Sequence, residues 1–300
     1  MRINARQVEA FRAVMVTGSM TAAAELLGVT QPAVSRLVRD FELAVGFVLF
    51  ERRGNQINPT PEAVALLSEV DRAFVGLGRI ADHAAAIRTQ QAGSLRVAAL
   101  PALAMGVLPR FVGRFLRGRV GLQVAVHGMP SHMVIEAVAA GQADIGFAVG
   151  PLERPGFDVE PIASPSVVVM PRDHRLASRP YVRPRDLAGE SMVGVAANTL
   201  FRSRLDAALG DVPRSVPVET PLSHIACALV SEGVGIAIVD PFSASEFVGR
   251  GIVARPLRPG VDVGMLRFVP RQRTTSALAQ TFVAGFSAHL ERVRESISAQ

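Results

Sequence analysis

Gln31, Ser35, Arg36 and Arg39 share one side of the stretch TQPAVSRLVR, and Val34, Leu37, Val38 and the following Phe41 share the other. At 3.6 residues per turn these are the two faces of one helix. A helix that shows Gln, Ser and Arg in its first turns carries side chains matched to base edges and phosphates. Thr30 stands where the cap of this helix belongs, and Pro32 fits a first turn, in which a missing N–H costs nothing. The same periodicity would also describe an ordinary pair of amphipathic surface helices.

The elements that must position this face flank it. Ser19 can cap a preceding helix with Ala22, Ala23, Leu26 and Leu27 at helical spacing, and Gly28 ends it where a left-handed residue is cheapest. Val8, Phe11, Val14 and Met15 make a third helical face that would pack beneath the pair. Downstream, GFVLFERRGNQINPTP places Phe47, Leu49 and Phe50 before Arg52, Arg53, Gly54 and Asn55. This is a short hairpin with a basic tip, suited to a phosphate backbone or a minor groove.

The run VEAFRAVMVTGSMTAAAELLGVTQPAVSRLVRDFELAVGFVLFERRGNQINPTPEA resembles the winged helix-turn-helix of the LysR-type transcriptional regulators at nearly every position, and the likeness continues more loosely to the end of the chain. The resemblance implies that Gln31, Pro32, Ser35 and Arg36 contact the major groove, and Thr30 and Arg39 beside them are taken as DNA-binding residues as well. It also implies that Arg52 or Arg53 reaches the minor groove.

Bulk properties set the bounds. Three hundred residues, 49% of them apolar, exceed one compact core and predict two or three globular domains. All 32 basic residues are arginine, and the net charge of +6 permits a nucleic-acid partner without demanding one. Without lysine there is no Walker A loop, Schiff-base enzyme or Ser–Lys hydrolase. The single cysteine, Cys227, lies in an apolar stretch and suits a buried structural thiol in a reducing compartment. The six histidines fall at no metal-ligand spacing with one another, and no GxSxG elbow occurs. No metal, cofactor or enzymatic activity is therefore expected. The start of the sequence lacks the apolar core of a signal peptide, and no stretch is long and apolar enough to span a bilayer. A cytoplasmic chain without a membrane partner is expected.

After the wing, Pro59 and Pro61 start a long helix in which Val64, Leu67, Val70, Phe74, Leu77, Ile80, Ala84 and Ile87 form one stripe. The simplest partner for such a stripe is the same helix in a second copy. Gly76 and Gly78 would each weaken it by about 1 kcal/mol relative to alanine. Gln90 to Ser94 reads as a hinge. From Leu95 strands alternate with helices, which predicts parallel sheets covered by helices. Crossings near Ser164 and Arg267 would divide the sheets into two lobes with a cleft between them.

The fold class expected is α/β. A mainly α winged helix-turn-helix spans 1–60, and a linker and dimerisation helix spans 61–89. A two-lobed effector domain over 93–300, resembling the periplasmic binding proteins, follows, with lobe I at 93–163 and 267–300 and lobe II at 164–266.

Ligands of open sheets bind outside the carboxyl ends of strands, near helix N-termini. That rule selects Pro101, Ala102 and Leu103; Gly128, Met129 and Ser131; and Phe147 and Val149 in one lobe. In the other it selects Asn198, Thr199 and Arg202; Thr220, Leu222 and Ser223; and Asp240 and Phe242. Hydroxyls and an arginine suit a carboxylate, and Asp240 suits an ammonium or guanidinium group. Each has a plainer role: Thr220, Ser223 and Asp240 as helix caps, Arg202 as a solvated charge, Phe147 as core.

The family resemblance implies a dimer or homotetramer on double-stranded promoter DNA, a small-molecule effector, and RNA polymerase as a further partner. ETPLSHIACALVSEGVGIAIVDPFSASEF resembles the branch responsive to opines such as octopine and nopaline, with an amino-acid derivative or organic acid as the wider class. A solute-binding protein would share the two-lobed half but need an export signal and no winged head. A DNA-binding protein indifferent to ligand would share the head alone.

Overall fold

The computed structural model describes residues 3–53, 56–71, 73–74, 93–150, 152–196, 199–271 and 276–298, with the backbone only for Arg52, Arg53 and Gln56. Gly54, Asn55, Gly76, Leu77, Gly78, Ile80, His83, Ala84, Ile87, Gln90 and Asn198 lie outside the described residues. The chain divides into two units, Met1–Ala85 and Ala86–Gln300.

In the first unit, α1 (Ala5–Thr17), α2 (Met20–Leu27) and α3 (Gln31–Val45) precede a hairpin of β1 (Phe50–Arg53) and β2 (Gln56–Pro59), and a further helix α4 is described at 61–71 and 73–74. The helix boundaries follow from local chemistry. Asn4 accepts from the Arg6 N–H while its own N–H donates to Gln7, and Ser19 accepts from the N–H groups of Thr21 and Ala22. Gly28 ends α2 at φ +64°, a conformation that costs a side-chain-bearing residue.

Two details differ from the sequence expectation. Thr30 occupies the cap position of α3, but its hydroxyl makes no capping bond. Leu26 is 63% exposed, and Ala23 and Ala24 are buried against α1 and α3 in its place, with Leu27 partly buried beside them.

The core of this unit joins Phe11, Phe41, Leu49, Ala63 and Val70, with the Phe11 and Phe41 rings 5.5 Å apart. At the start of α4, Ala63 and Val70 are buried and Leu66, Leu67 and Phe74 are partly buried against the core of this unit. Val64, in the expected stripe, stays exposed. The Arg12–Asp71 ion pair (2.7 Å) ties α1 to α4.

Among the described residues the second unit holds two five-stranded sheets. The first has the order β4-β3-β5-β12-β6, from β3 (Ser94–Ala99), β4 (Gln123–Gly128), β5 (Ile145–Val149), β6 (Phe157–Ile162) and β12 (Met265–Pro270). The second has the order β11-β7-β10-β8-β9, from β7 (Val167–Pro171), β8 (Ser191–Val195), β9 (Ser215–Thr220), β10 (Ile236–Val239) and β11 (Ile252–Pro256).

Neither sheet is wholly parallel, which corrects the expectation. β4, β3 and β5 run parallel, as do β10, β8 and β9, but β12, β6, β7 and β11 pair antiparallel. The reason is that the chain crosses between sheets as bare strand, so each crossing strand enters without the helix that would restore a parallel direction.

The stretch after β3 forms two helices, α5 (Pro101–Ala104) and α6 (Val107–Phe115), rather than one. The break is at Gly106, where a Cβ would fall 2.3 Å from the Glu246 side chain. The remaining helices are α7 (Ser131–Ala139), α8 (Leu200–Leu209), α9 (Ser223–Ser231), α10 (Pro241–Phe247) and α11 (Ala277–Ser298). α11 reaches both sheets' packing. Phe282 meets Phe111 of α6 edge-on at 5.0 Å and Phe286 meets it tilted at 5.2 Å, and Ile297 joins the cluster of Val167, Val169 and Ile252.

Candidate nucleic-acid interface and effector crevice

On α3 the apolar residues Val34, Val38 and Phe41 are buried, so the opposite face is presented outward. Gln31 Nε2 donates to Ser35 Oγ at 2.9 Å, which orders the two polar side chains of the first turns relative to each other. The Arg36 side chain is 85% exposed, with Asp40 only at 3.9 Å, and Arg39 and Pro32 are exposed. Guanidinium groups left in this state can form bidentate contacts to a guanine edge or a phosphate.

The wing is fastened to the same helix by a residue that sequence reasoning missed. Glu42 Oε1 accepts from the N–H groups of Leu49 and Phe50, at 2.8 and 3.2 Å. An acidic residue on the inner side of α3, just before a hairpin, was the available signal. Thr60 completes the joint, donating to the Val48 carbonyl (3.0 Å) and accepting from the Ala63 N–H (3.1 Å) at the start of α4. Arg52 and Arg53 lie on β1, and their side chains are outside the described residues.

In the second unit the nominated residues separate into groups. Leu103, Phe147 and Phe242 are buried core, with Phe147 packed edge-on against Phe286 at 5.0 Å. Ser131 Oγ accepts from the Val149 N–H (3.0 Å), and the Met129 N–H donates to the Ala99 carbonyl (3.0 Å), so this corner is held by its own bonds. Gly128 faces α5, where a Cβ would meet Ala104 at 3.2 Å.

Thr199 caps α8, accepting from the Arg202 N–H at 3.1 Å, and Thr220 accepts from the Leu222 N–H at 3.2 Å. Ser223 is not a cap: Leu222 holds that position, leaving the Ser223 hydroxyl at the first helical residue. Asp240 is 1% exposed and caps α10 through Oδ1, which accepts from the Ser243 N–H at 2.7 Å, whereas its Oδ2 finds no partner among the described residues. α5 packs against both α9 and α10.

Arg202 is not a free charge. It donates to Asp206 (2.8 Å), Glu219 (2.9 Å) and the Val195 carbonyl (2.7 Å), and bonding first to Glu219 and then to Asp206 raises its pKa against the opposing effect of burial. It faces Leu205, Leu209 and Ile238 inside the second sheet's layer, not the first sheet.

The crevice between the sheets, about 460 Å³, is lined instead by Gly150, Leu152 and Pro161 on one side, Leu200 and Arg204 on the other, the crossing residues Gly260, Val261, Asp262 and Gly264, and the start of β12 at Met265 and Leu266. Arg204 donates to the Asp262 carbonyl at 3.1 Å and has no carboxylate partner among the described residues. The Asp262 carboxylate is engaged by the Ser164 N–H and hydroxyl and by the Gly264 N–H, which pins the two crossings together. Arg204 was legible in part: Leu200 and Arg204 are one turn apart, beside the apolar line of Phe201, Leu205 and Leu209. Cys227 is buried, and burial, with the Asp240 charge behind it, pushes its thiol well above the usual range. It is a packing residue.

Among the described residues no helix is long and apolar enough to cross a membrane, and no cluster of His, Cys, Asp and Glu could hold a metal ion.

Two family models match the chain: the bacterial regulatory helix-turn-helix protein of the lysR family over residues 5–64, and the LysR substrate binding domain over residues 88–291. The chain is 51% identical over 286 residues to the octopine catabolism/uptake operon regulatory protein OccR of Rhizobium meliloti, covering 95% of this chain and 96% of that one. It is 38% identical to the regulatory protein NocR of Agrobacterium fabrum (94% and 95% covered) and 32% identical to the transcriptional activator protein LysR of Escherichia coli (99% and 96%).

Among solved structures, full-length CbnR complexed with its target DNA superposes with a TM-score of 0.72 at 24% identity, covering 98% of this chain and 100% of that one. Full-length OxyR from Pseudomonas aeruginosa gives 0.66 at 18% identity, covering 97% and 95%. Those two likenesses establish the fold. The matched models and the identities together place the chain in the LysR family of DNA-binding transcriptional regulators, with a winged helix-turn-helix head and a substrate-binding domain.

Proposed function

We propose that this protein is an opine-responsive transcriptional regulator of the LysR family. The observation that carries the reading is the 51% identity to an octopine operon regulator, which runs through both units rather than the head alone. Gln31, Pro32, Ser35 and Arg36 read bases in the major groove, Thr30 and Arg39 hold phosphates, and Arg52 or Arg53 enters the minor groove.

The effector lies between a first lobe, 93–163 and 267–300, and a second, 164–266. An opine carries several carboxylates and a cationic end. Arg204 takes a carboxylate, the Ser223 hydroxyl and the turn at Pro101 and Ala102 add hydrogen bonds, and Asp240 meets the cation. Arg202, tied to two carboxylates, supports α8 rather than the ligand.

Binding alters transcription to the extent that the effector prefers one packing of the subunits over another. The functional form is a dimer or tetramer in the cytoplasm, acting with RNA polymerase and without catalysis. The test is calorimetric titration of the whole chain with octopine, nopaline, their parent amino acids and simple organic acids. Saturable binding of an opine, tighter than that of the parent amino acids, is expected. Binding only of an unrelated acid would overturn the opine reading.

A further inference from the structure

The second sheet carries a concave surface of about 720 Å³, lined by Tyr181, Arg183, Pro184, Arg185, Arg258 and Pro259, that shares no residue with the crevice between the sheets. It is formed by two segments lying side by side. The Val182 N–H donates to the Pro256 carbonyl (2.9 Å), and the Arg258 N–H donates to the Val182 carbonyl (2.8 Å). Val182 and Leu257 are buried beneath, at 0% and 2% exposure, so the floor is fixed by core packing.

Three arginines project from this floor around the only tyrosine of the chain. The Arg183 guanidinium lies 5.1 Å and that of Arg258 6.0 Å from the Tyr181 ring centroid, and Arg183 also donates to the Tyr181 hydroxyl at 2.7 Å. None of the three guanidinium groups has a carboxylate partner among the described residues. The acid of this stretch is already committed: Asp186 accepts from Arg179 (2.9 Å) and from the Arg183 N–H (2.9 Å). Like charges gathered on a rigid floor without a counter-charge repel one another, and the repulsion is relieved by one ligand that carries several negative charges.

We propose that Arg183, Arg185 and Arg258, arranged around Tyr181, form a second binding site, for a compact polyvalent oxyanion. The shared chemistry is two or more adjacent anionic oxygen groups, which a phosphoryl compound or a polycarboxylate can supply. The open shape and the neutral, rigid floor admit such an anion without desolvating any buried group. The site is independent of the opine reading, since it needs neither Arg204 nor Asp240.

The test is isothermal titration of the full chain at low ionic strength with inorganic pyrophosphate in one arm and citrate in the other, on wild type, R183Q/R258Q, Y181F and R117Q. Arg117 is an exposed arginine outside the concavity, so R117Q controls for charge in general. The expected result is a saturable site, one per chain, weakened at least about tenfold in R183Q/R258Q, weakened less in Y181F and retained in R117Q. Tighter pyrophosphate binding identifies a phosphoryl ligand, and tighter citrate binding a polycarboxylate. Unchanged unfolding midpoints keep the variants interpretable. Equal weakening in R117Q and R183Q/R258Q, or no saturable binding to wild type, overturns the proposal.

Discussion

Arg36 and Arg202 both follow a threonine at the cap position of their helix, yet the two units treat them in opposite ways. Arg36 is 85% exposed with one loose carboxylate neighbour, Asp40 at 3.9 Å, whereas Arg202 is clamped between Asp206 (2.8 Å) and Glu219 (2.9 Å). In a chain whose every cation is arginine, residue type carries little information about role. What separates a recognition residue from a structural one is whether a carboxylate of the same unit already occupies its guanidinium. By that measure the outer face of α3 and, in the second unit, Arg204 and the Arg183–Arg258 cluster are where external anions are expected.

The contrast can be broken most sharply within α8. Arg204→Gln should weaken binding of a carboxylate effector at least about tenfold, the loss of a charge-assisted hydrogen bond of about 1.5–3 kcal/mol. Arg202→Gln should leave the affinity within about threefold, a difference well under 1.4 kcal/mol. Calorimetry on both variants decides, and the reverse ranking would return Arg202 to the effector site.

In the head, Arg36→Ala should cost about 1–3 kcal/mol on the specific operator and much less on unrelated DNA. Arg39→Ala should weaken all sequences evenly and reduce the salt slope by about one. Equal losses on every sequence for both variants, measured by retention at several salt concentrations, would erase the division of roles.

A smaller effect is expected on stability. Arg202→Ala should lower the unfolding free energy by about 1 kcal/mol or less, because the network is partly solvated. Urea denaturation reads this directly, and a loss of several kcal/mol would mean that the clamp is a keystone of the second sheet.

The last expectation concerns pH. His289 is buried against Phe111, and burial, followed by the charges of Arg114 and Arg292, lowers its pKa from 6.5 to about 4. The Arg114 guanidinium lies 2.8 Å from Nδ1 and 3.0 Å from Nε2 and can donate only to the nitrogen that lacks a proton. The unfolded chain therefore takes up a proton before the folded one does. The stability contribution of His289 is complete above pH 6.5 and is lost as pH falls through about 4. His289→Gln should flatten stability against pH across that window, and an unchanged slope would contradict the assignment.

The head was legible because its function and its folding use the same periodicity: burying Val34, Val38 and Phe41 forces Gln31, Ser35 and Arg36 outward. The alternation of strands and helices gave most of the second unit too. β6 and β11 are the least legible strands, because FDVEPI and IVARP have no clean alternation and pair with partners far along the chain. The crevice was the least legible part. Strand-end rules led to Leu103, Phe147 and Phe242, which packing claims for the core, and to Arg202, which Asp206 and Glu219 claim. Arg204 was marked only by its place one turn from Leu200, and Asp262 emerges only once the two crossings lie side by side. Glu42 likewise acquires its role from the hairpin that folds back onto it.

The most direct test of the account is a footprint of the purified protein on its own upstream intergenic DNA, with and without octopine, alongside the protected length in Arg204→Gln. The account predicts protection by wild type that changes in extent or in bend-sensitive cleavage when octopine is added. In Arg204→Gln the protection should persist and the change disappear. Protection indifferent to octopine, nopaline and related acids, or no salt-sensitive protection at all, would contradict it.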